Sequence, residues 1–292
     1  MEPLREMLVE LIRVAVTRLP LDVYETLRRA YAAEEEPLAR EMLAALLRNA
    51  ELAARLGRPI CQDTGYPWLL LRVGVDSPYR HRVYEAAGEA VEEATRLVPL
   101  RPNTLDPWSG RVYPNRGPGA PEVEVELVPG DRIEAFYMPK GGGSEAVTRV
   151  RVAAPLEAPR ALAETVVTAV AEAGPRACPP LVLGVGVAAS GAQALALARR
   201  ALLRPLGSRN PRREAAEAEK VLLEAVNMLG VGPHGVGGST TALAVHLEYA
   251  ARHPATYAVG VVASCWALRR ASGVLEGDGS WRLTSRHLPL QG

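Results

Sequence analysis

The spacing of apolar positions changes several times along the chain. In the opening MEPLREMLVELIRVAV, Leu4, Met7, Leu8, Leu11, Ile12 and Ala15 recur at helical spacing. The stretch reads as an amphipathic helix rather than a secretory leader. Asp22 followed by Glu25 has the form of a capping box for a second helix. A third begins near Pro37, with Leu38, Met42, Ala45 and Leu46 on one face. WLLLRVGV then reads as a buried strand and 79–98 as a helix. The stretch 101–120 is rich in Pro, Asn and Gly and has little periodicity; loops this long are usually functional or disordered. In EVEVELVPGDRIEAFYMPK, Val123, Val125 and Leu127 alternate with glutamates, Pro129-Gly130-Asp131 turns, and a second strand follows, which predicts a β-hairpin. Beyond it, 158–173 reads as a helix, PLVLGVGV as a buried strand, and the segment after Ser190 as a helix. Asn210 as N-cap with Pro211 at the first helical position opens another helix, to about Leu229. TTALAVHLEYA and TYAVGVVAS are strand-like. The expected fold is mixed α/β: an N-terminal helical layer, 1–56, followed by an α/β body with a mixed sheet, 57–292, the two read together as one structural domain.

Composition removes some classes of function. A net charge of +1 over 292 residues offers no basic surface for nucleic acid or an acidic membrane. The uncharged run 177–198 contains Pro179, Pro180, Gly184, Gly186 and Gln193, so it reads as strand, glycine turn and helix rather than a membrane span. Three cysteines, an odd number, without an export signal argue against a disulfide framework and for a cytoplasmic location.

Those cysteines are Cys61 in ICQDTG, Cys178 in ACPPLV and Cys265 in ASCWALRR. No two share a short zinc-knuckle spacing. Two readings stay open: unrelated buried thiols, or three thiolates of an iron–sulfur cluster with one iron lacking a protein ligand. Three glycine-rich stretches accompany them: KGGGSE (140–145), GVGVAA (184–189) and GVGPHGVGG (230–238). Glycine runs let backbone N–H groups approach an anion, or simply make tight turns. GVGVAA also matches the dinucleotide fingerprint between a strand and a helix, but no acidic residue occurs between Glu172 and Glu214 to hold a ribose. His246 lies in a strand-like run and reads as structural, whereas His253 lies in a turn ahead of Cys265.

Taken in order, CQDTG, KGGGSE, CPP before a GVG turn, GVGPHGVGG followed by TT, and His-Pro-Ala ahead of the last cysteine resemble the iron-dependent class I fumarase and L-tartrate dehydratase family. The resemblance covers about residues 55–271 and is to the family's alpha subunit. It implies a hydro-lyase that reversibly removes water from a C4 hydroxy-dicarboxylic acid, fumarate and malate first and L-tartrate next. It implies a [4Fe-4S] cluster on Cys61, Cys178 and Cys265. It also implies substrate contacts from Gln62, Asp63, Arg101, Gly142 and Gly143, with Asp63 and His253 handling the proton on the hydroxyl. The base that abstracts the carbon-bound proton is, in the family, a threonine of the beta part. No segment matching that part is found here, so the resemblance implies half an active site, a beta subunit as partner and a heterotetramer of two alpha–beta pairs. His234, Ser239 and Ala146 stand where the family usually has Gln, Lys and Asn. A non-catalytic metal-binding or regulatory subunit and a nucleotide-dependent enzyme using GVGVAA are the alternatives.

Overall fold

The helical periodicity at the N-terminus becomes three helices in the computed structural model, which describes residues 2–289. Among the described residues the helices are α1 (Pro3–Thr17), α2 (Leu21–Ala33), α3 (Pro37–Leu56), α4 (Val83–Leu97), α5 (Ala158–Ala173), α6 (Gly191–Ala201) and α7 (Arg213–Asn227). The strands are β1 (Tyr66–Gly74), β2 (Thr104–Leu105), β3 (Val112–Tyr113), β4 (Glu122–Val128), β5 (Ile133–Lys140), β6 (Arg149–Ala153), β7 (Leu181–Ala188), β8 (Ala242–Tyr249), β9 (Tyr257–Ser264), β10 (Ala271–Leu275) and β11 (Trp281–Leu283). The fold is mixed α/β, N-terminal helices followed by mixed sheets. Contacts divide it into two compact units. Of the described residues, the first takes 2–24, Arg48–Gly141 and 267–289, and the second takes Glu25–Leu47 and Gly142–Trp266.

In the first unit a five-stranded sheet runs in the order β11-β10-β5-β1-β4. The predicted hairpin is not formed. β4 and β5 exist and a turn joins them, but β1 lies between them, parallel to β4 and antiparallel to β5. The reason lies in the two patterns. WLLLRVG is apolar almost throughout, and such a run belongs in the middle of a sheet, with both neighbours and both faces filled. The glutamate-alternating β4 suits the edge. The link from β4 to β5 therefore crosses the end of β1. Gly74 accepts the crossing because it has no Cβ; one there would stand 2.3 Å from the Gly130 carbonyl oxygen. On one sheet face the apolar stripe of α1 and the small residues of α4 (Ala86, Ala87, Ala90, Ala94) bury Leu69, Leu71, Ile133, Ala135 and Tyr137. Each such leucine contributes about 1.5–3 kcal/mol. Asp22 stands inside the first turn of α2 rather than at its N-cap, and its carboxylate accepts from Arg270 at 2.5 Å.

The second unit holds a four-stranded sheet, β6-β9-β7-β8, with β7 parallel to β8 and antiparallel to β9. Alternate residues of β7 and β9 (Leu183, Val185, Val259, Val261) bury against α5 and α7. Gly184, Gly186 and Gly260 face α6 on the other side. A Cβ at Gly184 or Gly186 would lie 1.9 Å from the carbonyl oxygen of Ala198 or Ala194. GVGVAA is thus strand interior stripped for close helix packing, not a phosphate loop, and the nucleotide reading loses its motif. Ser190 caps α6, accepting from the Gln193 N–H. Asn210 does not cap α7, which begins at Arg213. Its side chain is buried, donating to the Leu247 carbonyl at 2.7 Å and accepting from the Arg212 N–H.

Candidate functional site

The first unit gathers its polar candidates around the turn that follows α3. Ile60 is pinned on both sides: its N–H donates to the Val16 carbonyl, and its carbonyl accepts from the Asn49 side chain at 2.8 Å. Cys61, Gln62 and Asp63 follow, with Gln62 exposed and the other two partly so. Asp63 Oδ1 accepts from the Gly65 N–H at 2.9 Å, closing an Asx turn into β1. The Arg101 loop docks here although nearly forty residues away in sequence. Thr64 Oγ1 accepts from the Arg101 N–H at 3.1 Å, and Asn103 Nδ2 donates to Asp63 Oδ1 at 3.1 Å. Asn115, buried with φ 61°, braces the loop from behind. Its side chain donates to the Arg101 carbonyl and accepts from the Asn103 N–H. Arg101 itself is exposed, its guanidinium available to a ligand. The sequence reading named Gln62, Asp63 and Arg101; it did not name Asn103, Asn115 or Arg269. The last donates from Nη1 to the Asp63 carbonyl at 2.7 Å. Two adjacent arginines inside the otherwise apolar, buried run 266–271 were the available signal.

The second unit sets Cys178 and Cys265 at one end of its sheet. The β7–β9 register pairs Val182 with Ser264, and the Trp266 N–H donates to the Cys178 carbonyl at 3.3 Å. Cys178 takes a left-handed conformation (φ 53°) after the turn 174–177, its N–H donating to the Pro175 carbonyl. Gly143 passes close by. A Cβ there would sit 2.8 Å from the Arg176 carbonyl oxygen and 4.0 Å from Cys178 Sγ. Gly142 beside it is exposed. The GVGPHGVGG loop closes the same turn from another side: the His234 N–H donates to the Pro179 carbonyl at 2.8 Å, and a Cβ at Gly235 would meet Pro175 at 2.4 Å. His234 has φ 51°, and its buried Nε2 has no hydrogen-bond partner. Burial pushes its pKa below the ordinary value, so the ring is held neutral. Ser239 donates from its N–H and its hydroxyl to the buried Glu34 carboxylate, both at 3.0 Å. His246 is structural, as its strand placement suggested: it is buried, with Nδ1 3.2 Å from the Ala201 carbonyl. His253 is exposed, and its hydrogen bonds stay within the turn 252–256.

None of the three cysteines is joined in a disulfide, and each is partly exposed. That donor set, with a glycine backbone rather than a side chain against Cys178, fits a thiolate-held cluster. Among the described residues no three His, Cys, Asp or Glu side chains group around a single ion. No helix among the described residues is long and apolar enough to cross a membrane.

Comparison with known proteins identifies the family. The family model described as fumarate hydratase (Fumerase) matches residues 5–274. A Methanocaldococcus jannaschii protein provisionally named L(+)-tartrate dehydratase subunit alpha is 38% identical over 271 residues, covering 91% of this chain and 95% of its own length. The L(+)-tartrate dehydratase subunits alpha of Escherichia coli O157:H7 and of Escherichia coli strain K12 are each 36% identical over 277 residues, covering 94% of this chain and 91% of theirs.

Proposed function

The chain belongs to the fumarate hydratase (Fumerase) family, and from that premise we propose that it is the alpha subunit of an iron–sulfur hydro-lyase acting on a C4 hydroxy-dicarboxylate. The observation that supports the reading is the docking of the Arg101 loop, through its Arg101 N–H and Asn103 side chain, on Thr64 and Asp63, which follow Cys61 in the same turn. Arg101 grips one substrate carboxylate, a task suited to a planar fork. Gln62 and the backbone at Gly142 and Gly143 orient the acid. Asp63 and His253 hold the proton that joins or leaves the hydroxyl. Cys61, Cys178 and Cys265 would hold a [4Fe-4S] cluster, which when bound supplies Lewis acidity toward a substrate oxygen. Relatives named L(+)-tartrate dehydratase subunits alpha put L-tartrate first among the acids to assay, with fumarate and malate beside it.

The base for the carbon-bound proton lies on a beta subunit, in an assembly of two alpha–beta pairs. Supporting this, the arm that leaves Arg101 and Asn103 carries Leu105, Trp108 and Val112 well exposed, apolar surface of the kind a partner covers. Thiols kept for a cluster need a reducing compartment, the ground for placing the chain in the cytoplasm. The test is anaerobic turnover of L-tartrate, fumarate and malate by the reconstituted chain, alone and with its beta subunit. Activity is expected only with the partner, since loss of the base alone costs about 10²–10⁴ in rate. Full turnover by the chain alone would show that the base lies within these 292 residues.

A further inference from the structure

The side-chain amide of Asn103 has two edges, and only one of them is used within the chain. Nδ2 donates to Asp63 Oδ1 at 3.1 Å and to Thr64 Oγ1 at 3.3 Å. The backbone N–H of the same residue donates to Asn115 Oδ1 at 2.8 Å. These partners fix which way the amide is turned. A carboxylate oxygen only accepts, and the Thr64 hydroxyl gives its own proton to the Arg101 carbonyl at 3.4 Å. The nitrogen therefore faces the turn and the oxygen faces away from it. Oδ1 has no hydrogen-bond partner among the described residues, and it is not one of the buried polar atoms left without one. The side chain is only partly buried, so this acceptor is open to solvent. Arg101, two positions earlier, is exposed.

We propose that Asn103 is a specificity-determining residue, its Oδ1 accepting a hydrogen bond from the hydroxyl that the substrate keeps. The inference rests on the hydro-lyase reading above. An acid gripped by Arg101, with its departing hydroxyl at Asp63, lies along Asn103, which is hydrogen-bonded to Asp63 and two residues from Arg101. L-tartrate carries a hydroxyl on each of its two central carbons: one leaves, and its neighbour stays to donate to Oδ1. L-malate has only the hydroxyl that leaves, so Oδ1 then meets water or a bare methylene. A neutral acceptor suits a hydroxyl and offers nothing to a carboxylate. Asn103 therefore selects dihydroxy over monohydroxy acids and leaves the charge recognition to Arg101. A site that provides a partner for a substrate hydroxyl disfavours the analogue lacking it.

The test uses the anaerobically prepared alpha–beta holoenzyme and two variants, Asn103→Ala and Asn103→Ser. Alanine removes both edges of the amide. Serine keeps one donor for the turn but is too short to present an acceptor outward. kcat/KM is measured for L-tartrate and for L-malate, and calorimetric affinity takes its place for an acid that is not turned over. The parent should favour L-tartrate, and each variant should lower the tartrate-to-malate ratio about 10-fold, the size of one net hydrogen bond. Loss of the Nδ2 bonds weakens both acids alike and cancels in the ratio, so a merely structural role leaves it unmoved. An unchanged ratio in the folded variants overturns the proposal, as does a parent indifferent to the second hydroxyl. If Asn103→Ala fails to fold, Asn103→Ser decides alone. The function reading is judged separately. A holoenzyme that prefers L-tartrate through Asn103 yet dehydrates neither acid refutes that reading and leaves Asn103 standing. Turnover at a ratio indifferent to Asn103 does the reverse.

Discussion

The two cysteine turns of this chain are built by opposite means. The turn at Cys61 is held by side chains: Asn49, Asp63, Thr64, Asn103, Asn115 and Arg269 knit it to a helix, a strand and a distant loop. At Cys178 main-chain groups stand out: the Cys178 N–H donates to Pro175, its carbonyl accepts from Trp266, the Pro179 carbonyl accepts from His234, and Gly143 and Gly235 let the backbone come close by lacking a Cβ. A side-chain knot is specific about chemistry, so it breaks when a polar group is deleted. A backbone seam is specific about space, so it breaks when a Cβ is added. The contrast suits the proposed division of labour. Proton and carboxylate chemistry needs functional groups fixed at the first turn, whereas a ligand that only has to present sulfur needs room at the second.

The largest effect should be one the two turns share. Cys61→Ser and Cys178→Ser should each abolish iron retention in the reconstituted protein while far-ultraviolet circular dichroism stays native, because both thiols are partly exposed rather than fully buried. Full iron content in Cys178→Ser would remove the backbone-held turn from the ligand set. Next come paired deletions and additions that separate the turns. Gly232→Ala places a Cβ 1.5 Å from the Gly237 carbonyl oxygen at φ +69°, which should cost about 3 kcal/mol or more in urea unfolding. Asn115→Ala leaves the Arg101 carbonyl and the Asn103 N–H short of a buried partner, a loss of about 1–3 kcal/mol. Equal costs, or the reverse order, would mean the two turns are not held differently.

The smallest effect is one of pH. His287 donates from Nε2 to the Arg270 carbonyl at 2.9 Å, next to Arg269, and burial holds its pKa below the ordinary value. The folded state therefore keeps this ring neutral while the unfolded chain takes up a proton first, near pH 6.5. The stability it contributes is present above that pH and is lost as the pH falls toward the folded value. His287→Gln should flatten the decline of unfolding free energy below pH 6.5 without removing it, because His234 in the other region is lowered in the same way. An unchanged slope would remove His287 as a source.

What could be read from the chain beforehand follows the same contrast. Helices and strands announce themselves by local period, and α5 was legible to its end residues, 158–173. Cys61, Cys178 and Cys265 were legible as candidates because thiols in polar turns are unusual. Strand neighbours were not. Val123 and Ile133 sit in two good strands around a good turn, yet pairing is decided by a third strand whose apolar run outbids a local hairpin for the central place. Arg269 was not legible because its partner is the carbonyl of a residue 206 positions earlier. Asn103 lay beside the Arg101 already singled out, but nothing local marks it as a ligand of Asp63. GVGVAA misled for a related reason: glycine allows an anion to approach and equally allows a helix to approach, and here α6 occupies the space.

The sheet of the first unit has a history written into its order. β5 takes β1 on one side and β10 on the other, and β10 is encoded only after the entire second unit has been read out. On the ribosome, α1, β1, β4 and β5 therefore emerge with the β5 edge that will receive Ala271–Leu275 still unpaired. The sheet of the second unit, β6 to β9, is translated next and has every one of its strands before that partner appears. A waiting strand edge is a template for the wrong neighbour. For this chain the hazardous interval of biosynthesis is set by the length of the segment spliced between β5 and β10, not by the difficulty of either sheet.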